Sequence, residues 1–323
     1  MLSQKKPLLK VLRIVFAVAP LVWIYSRTNF SSIVEILKTA PILVLVLITA
    51  ITFSTMLLQG IRWWVLVKKF IPDLKLLTTV RVHLESTFYA IALPSSAAQD
   101  IVRAVILSRK HSGSVIWASS WIARLTGLAV LMFFSFLGLT TMDNQVLPSG
   151  IRLTLFSMFG VTLVMGIASF SKTITRPFRK LETNFPESKI ITTLSQLRNS
   201  IYNYKNAPAT LLNALALSLI TQLLLILNAA LIFFAVTGQY YFLESLAFIP
   251  LIEILSISLP LTPGGIGIRE ALMALMFRQL NLSADQLGSF VAISLLISLS
   301  RLLGAVPLLY RGISKKSIKT SNA

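Results

Sequence analysis

The stretch LPLTPGGIGIRE, residues 259–270, stands where its apolar surroundings call for a membrane helix. Two prolines and three glycines interrupt that helix, and Arg269 and Glu270 follow at once. Lipid offers no partner to a bare N–H or C=O group, so a break at that depth must be wrapped in protein or line a polar cavity. Ionisable groups inside a bilayer are costly and mark pathways and binding sites. This segment therefore points both to the architecture and to the functional centre.

The rest of the chain supports a membrane setting. Of its 323 residues, 55% are hydrophobic, and the mean hydropathy is +0.79. Such values, with several apolar stretches of near-spanning length, describe a polytopic helical membrane protein. The net charge is +19, from 30 Lys and Arg against 11 Asp and Glu. The basic residues cluster between apolar stretches, which reads as positive-inside topology and attraction to anionic lipid heads. No basic soluble module is present to bind nucleic acid. There is no cysteine, and His83 and His111 are 28 residues apart in different predicted segments. Disulfides, thiolate catalysis and Cys-based metal sites are excluded, no His-based metal site is expected, and no cofactor motif is found.

Full spans are predicted over about 8–26, 41–60, 115–139, 151–171, 208–236 and 287–310. Lys5, Lys6 and Lys10 precede the first, and Ala17-Val18-Ala19 imitates a signal cleavage site. Arg13 interrupts any signal core, and the apolar run continues through Ile24, so a retained first helix is expected. Two more regions, 76–107 and 244–279, are apolar but broken, at Pro94 and at Pro260 and Pro263. Both read as helical hairpins that enter the bilayer and turn back.

Charge orients the spans. Lys68, Lys69, Lys75, Arg109 and Lys110 flank the first hairpin, and the connection 172–206 is strongly basic. The tail adds Arg311, Lys315, Lys316 and Lys319, whereas 140–150 and 237–243 carry no Lys or Arg. Both termini are expected in the cytoplasm with six full crossings. The first hairpin then enters from the cytoplasmic side and the second from outside. Within 172–206, Ile190, Leu194, Leu197 and Ile201 recur at helical spacing beside Lys189, Arg198 and Lys205. They predict an amphipathic helix on the inner leaflet.

The two hairpins resemble each other. Aligning LPSSAAQDIVRAVIL (93–107) with LPLTPGGIGIREALM (259–273) places Leu-Pro on Leu-Pro, Ala98 on Gly264 and Arg103 on Arg269 without a gap. An acidic residue precedes each proline in the same arm, Glu85 in one and Glu253 in the other. With opposite sides of entry, the pair would form an inverted repeat whose broken helices meet near the midplane. The fold class expected is therefore all-α: a single integral membrane domain over 1–323, with six spans and two inverted re-entrant hairpins.

The chemistry at the breaks favours anions. Gly264, Gly265 and Gly267 leave backbone N–H groups unobstructed at a helix start. Arg269 and Arg103 add permanent planar charges suited to phosphate. Each residue also has a plainer role: the glycines in close helix packing, the arginines in structural ion pairs with Asp100, Glu85, Glu253 or Glu270. Glu270 could offset the helix dipole or accept a proton, and Asp100 could be an N-cap. Arg62 in GIRWW reads as a snorkelling residue beside the interfacial anchors Trp63 and Trp64. Arg124 and Arg301 lie deeper in their spans and are candidate headgroup contacts or ion-pair partners. No enzyme signature is found, and the 172–206 connection is too short to bury a catalytic core.

The segment PGGIGIREALMALMF (263–277) resembles the C-terminal signature of the lysylphosphatidylglycerol synthase transmembrane-region family, the flippase-like integral membrane proteins. LPSSAAQDIVRAVIL resembles that family's first motif, and GIRWW and the IARLTGL around Arg124 resemble its lesser landmarks. Pro263, Gly264, Gly265, Gly267, Arg269 and Glu270 match the second motif, and Pro94, Asp100 and Arg103 match the first. Ala98 and Gln99 stand where Gly-Gly is usual, a departure that would stiffen the first hairpin.

The resemblance implies handling of membrane lipids, in some relatives aminoacylated phosphatidylglycerol, in others isoprenoid-linked sugars or hopanoids. It implies the translocating part alone, without the aminoacyl-transferase domain. The leading expectation is a non-enzymatic lipid translocase of the cytoplasmic membrane. It would hold an anionic phospholipid or isoprenoid-phosphate headgroup between Arg103 and Arg269, with Glu85, Glu253 and Glu270 balancing the arginines when the site is empty. The rivals are a membrane-embedded transferase with Asp100, Glu253 or Glu270 as base, and a non-catalytic partner of a cell-envelope enzyme.

Overall fold

A computed structural model of the chain describes residues 30–91, 98–141, 149–173, 188–259 and 264–308, with 22, 93, 176, 177, 180, 184 and 262. Among these residues the fold is entirely helical. In chain order the helices are α1 (Phe30–Thr39), α2 (Ile42–Lys68), α3 (Leu76–Ile91), α4 (Ala98–Ser108), α5 (Gly113–Thr141) and α6 (Ser149–Phe170). They continue with α7 (Lys189–Asn203), α8 (Pro208–Thr237), α9 (Phe242–Ser258), α10 (Ile268–Phe277) and α11 (Ala284–Leu299). A 3₁₀ segment, Ser300–Ala305, prolongs α11.

Among the described residues, four helices are long and apolar enough to cross a membrane: Ile42–Lys68, Gly113–Gly138, Pro208–Thr237 and Ala284–Leu308. They coincide with four predicted spans. The predicted span 151–171 is α6, with Phe156, Val161, Leu163, Val164 and Ile167 exposed on its surface. The predicted span 8–26 lies outside the described residues apart from Val22. Helix ends follow local chemistry. Pro208 opens α8, where a missing N–H costs nothing. Gly238 closes it in the left-handed conformation (φ 76°), its N–H bonded to the Phe234 carbonyl. Ser283 and Gln286 cap α11 reciprocally.

Both broken hairpins are present. The first is α3 and α4, of 16 and 11 residues; the second is α9 and α10, of 17 and 10 residues. Pro94, Pro260 and Pro263 themselves lie outside the described residues. The first hairpin packs on α2, α5 and the 3₁₀ segment, and the second on α5, α8 and α11. Glycines allow two of these approaches. A Cβ on Gly138 would overlap the Ala247 backbone of α9, and one on Gly304 would overlap the Leu84 carbonyl of α3.

Two apolar cores flank the centre. One gathers Trp63, Leu66, Leu107, Ile116 and Ile122 beside the first hairpin. The other gathers Phe233, Phe248, Phe277 and Phe290 beside the second, with Phe233 stacked on Phe290 at 4.0 Å. The amphipathic helix of the 172–206 connection is α7. Its Leu197 and Ile201 pack on the first core, while Ile190 and Leu194 stay exposed. Arg198 holds it in place by donating to the carbonyls of Ala168, Ser169 and Ser171 at the end of α6. Tyr204 donates to the Leu66 carbonyl at 3.0 Å. Burial pushes its phenol above the ordinary value, so the hydroxyl remains a donor.

Candidate functional site

The two hairpins meet directly. The Gly264 N–H, from the second, donates to the Leu93 carbonyl of the first at 2.9 Å. Arg301, from the 3₁₀ segment, donates to the Gly264 carbonyl at 3.0 Å. The contact is close enough that a Cβ on Gly264 would lie 3.3 Å from the Ile91 Cα. Gly264, Gly265 and Gly267 all have positive φ, at 61°, 78° and 88°, which L side chains adopt only with strain.

Beside this junction a polar cavity of about 250 Å³ opens among α2, α3, α4, α5, α8, α9, α10 and α11. Five arginines line it: Arg62, Arg103, Arg124, Arg269 and Arg301. Among the described residues two carboxylates do so, Asp100 and Glu253. The lining thus has a surplus of three positive charges, in surroundings where Coulomb forces are weakly screened. A larger hollow of about 460 Å³ lies between α5, α6 and α8, but its lining is apolar and carries no ionisable group to recognise a headgroup.

The charges divide by hairpin. In the first, Asp100 pairs with Arg103 at 2.8 Å and with Arg124 at 3.2 Å. Arg103 is 2% exposed, lies 4.7 Å over the Trp63 ring, and reaches His83 Nδ1 at 3.4 Å. Gln99 also contacts the His83 ring, at 3.2 Å. In the second, Arg269 pairs with Glu253 at 2.9 Å and donates to the Ser298 hydroxyl at 3.2 Å. The Nε atoms of Arg62, Arg103 and Arg269 are buried without a hydrogen-bond partner among the described residues. Such groups are rare and costly unless something else serves them.

Arg103, Arg269, Arg124, Arg301, Asp100 and Glu253 thus come together as the sequence indicates. Four expectations need correction. Glu85 does not face the cavity: it is buried on the far side of α3, paired with Arg81 at 3.1 Å, and the i, i+4 spacing puts those two on one stripe. Glu270 is absent from the lining too; its carboxylate accepts the Gly267 N–H at 2.6 Å, capping α10. The glycine amides are no free anion cradle either. Gly264 donates to Leu93, Gly265 to Thr262 and Gly267 to Glu270, so the positive-φ turn serves the hairpin contact. Asp100 stands inside the first turn of α4 and bridges arginines instead of capping.

Sequence reasoning also missed residues. Arg62 does not snorkel: α2 continues to Lys68, and Arg62 is buried with Nη1 on the Ser218 hydroxyl at 2.9 Å. Gly127 makes room for it, since a Cβ there would lie 3.2 Å from Nη1. Trp63 is wholly buried and donates to Ser119 at 3.1 Å, so it is core and not an interfacial anchor. His83 and Gln99 were passed over. A usable signal existed: Thr52, Thr55, Gln59 and Arg62 form a polar stripe at helical spacing on an otherwise apolar helix.

The family model for the lysylphosphatidylglycerol synthase TM region matches residues 10–304. No curated protein and no solved structure matches the chain.

Proposed function

The chain belongs to the lysylphosphatidylglycerol synthase TM region family, and from that premise we propose that it is a lipid translocase that holds an anionic headgroup in the arginine-lined cavity. Membership implies a membrane protein associated with lipids. The observation that carries the finer reading is the single cavity to which both hairpins contribute an arginine beside their junction. Its size suits a headgroup and not a whole lipid, so the tails stay in the bilayer. With both termini cytoplasmic, the first hairpin enters from the inner leaflet and the second from the outer. The arrangement is that of an inverted repeat around a central binding site.

The carboxylates beside the cavity balance the protein's own cations and amides, as a binding role requires. Asp100 is held by two arginines and Glu253 by one, while Glu270 is occupied by a backbone N–H. The test is transbilayer movement of fluorescent anionic lipids in proteoliposomes containing the full chain. Wild type accelerates movement, and Arg269→Ala and Arg103→Ala each reduce it to the protein-free rate. Unchanged movement in both variants, for every lipid that wild type moves, would overturn the assignment.

A further inference from the structure

Resting on that reading, we propose that the headgroup carries about two negative charges, as a phosphomonoester or a diphosphate linked to a lipid chain does. Singly charged phosphodiesters and headgroups bearing an amino-acid ammonium fit less well. The argument is an account of charge and of hydrogen bonds. Asp100 is shared between Arg103 and Arg124, and Glu253 serves Arg269. Arg62 and Arg301 form no ion pair among the described residues: they donate to neutral oxygens, the Ser218 hydroxyl and the Gly264 carbonyl, and the carboxylates of Asp100, Glu253 and Glu270 act on them only at longer range. One negative charge leaves the lining with a surplus of two, and two charges leave a surplus of one. An ammonium would add to the surplus, and both carboxylates that could receive it are already engaged.

Acceptor number points the same way. Of the four buried guanidinium Nε atoms without an acceptor among the described residues, three belong to arginines that line the cavity, Arg62, Arg103 and Arg269, and the fourth is on Arg198. A phosphodiester offers two non-bridging oxygens and one charge. A phosphomonoester offers three oxygens and about −1.5 to −2 charges at neutral pH, and a diphosphate offers at least four. Guanidinium groups suit such planar, multidentate recognition.

Trp63 supplies a readout independent of transport, because its ring lies under Arg103. Tryptophan fluorescence of the detergent-purified full chain is titrated with short-chain isoprenyl phosphate, isoprenyl diphosphate, short-chain phosphatidylglycerol, its lysyl ester, phosphatidylcholine and inorganic pyrophosphate. The isoprenyl phosphate and diphosphate bind about tenfold tighter than phosphatidylglycerol, the equivalent of one charge-assisted hydrogen bond. The lysyl ester binds more weakly still. Arg62→Gln, with an unchanged melting temperature, erases most of that preference. Phosphatidylglycerol or its lysyl ester binding as tightly as the doubly charged lipids overturns this inference. If binding is then still lost in Arg103→Gln/Arg269→Gln, the anionic-lipid reading survives. If no anionic lipid exceeds phosphatidylcholine while that double variant melts like wild type, both fail. Pyrophosphate binding as tightly as the isoprenyl forms overturns the lipid assignment and makes the ligand a free anion.

Discussion

The two hairpins deliver one arginine each to the same cavity, yet they hold them differently. Arg103 is almost wholly buried, stacked on Trp63, bridged through Asp100 to Arg124 and in contact with His83. Arg269 keeps 15% of its side chain exposed, with one carboxylate and one hydroxyl as partners. A buried charge must be compensated on every side, so the first hairpin surrounds its arginine with a network. The second instead spends its special geometry on the backbone, in three glycines of positive φ that let its tip touch the other hairpin. One arm is organised by side-chain electrostatics and the other by main-chain shape. On the proposed function, the loosely held Arg269 is the one expected to exchange its carboxylate for a ligand.

The strongest test of this contrast compares the two arginines. Arg103→Ala leaves Asp100 with Arg124 alone and removes the cation over Trp63, and taking one partner out of a buried charge network costs about 3 kcal/mol. Arg269→Ala removes a partly exposed pair and costs about 1 kcal/mol. Denaturation in detergent should therefore rank Arg103→Ala well below Arg269→Ala, although both abolish lipid movement. Equal stability losses would erase the distinction between the arms.

The backbone half of the contrast is tested at the tip. Gly264→Ala forces an L residue into the left-handed region, at about 1–2 kcal/mol, and sets its Cβ 3.3 Å from the Ile91 Cα. A loss of about 2 kcal/mol is expected, with hydrogen exchange speeding up at the junction and no direct loss of the arginine pairs. A neutral Gly264→Ala would mean that the hairpins do not need this contact.

Much of this was legible in the sequence, for identifiable reasons. Helix breaks are written by proline and glycine, so both hairpins and the spans within the described residues follow from local chemistry. Arg124 and Arg301 were placed toward the bundle because a charge that deep cannot face lipid. Pairings were harder. Glu85 was assigned to the cavity because it precedes Pro94 as Glu253 precedes Pro260, whereas Arg81, one turn earlier, is its partner. Arg62 reads as interfacial from a span that ends near residue 60, whereas α2 runs on to Lys68 and carries it into the bundle. The acceptor for the Gly264 amide is a carbonyl 171 residues away, at Leu93, and no local pattern encodes it.

Glu270 separates a structural from a chemical role for the second hairpin's carboxylates. Glu270→Ala leaves the buried Gly267 N–H without an acceptor, at about 1.5 kcal/mol. Glu270→Gln keeps an oxygen in place and should cost less than about 0.5 kcal/mol while preserving lipid movement. If Glu270→Gln abolishes movement at unchanged stability, Glu270 exchanges a proton and the second arm is more than a main-chain device.

The smallest effect is expected at Ser298, whose hydroxyl accepts from Arg269 and donates to the Ser294 carbonyl. Side-chain hydrogen bonds between membrane helices average about 0.6 kcal/mol, so Ser298→Ala should lower stability by no more than that. Its consequence for Arg269 is the sharper question. With Ser298 gone the guanidinium keeps only Glu253 among its described partners, and an incoming anion meets less competition. Anion affinity should hold or rise by about twofold, the equivalent of a few tenths of a kcal/mol. The matching change beside the first hairpin, Ser218→Ala, removes a hydroxyl from Arg62 but leaves the Arg103 network intact. It should alter affinity less. Affinity collapsing in Ser298→Ala would show that Arg269 needs a fixed geometry as strictly as Arg103 does, and the two arms would then be alike.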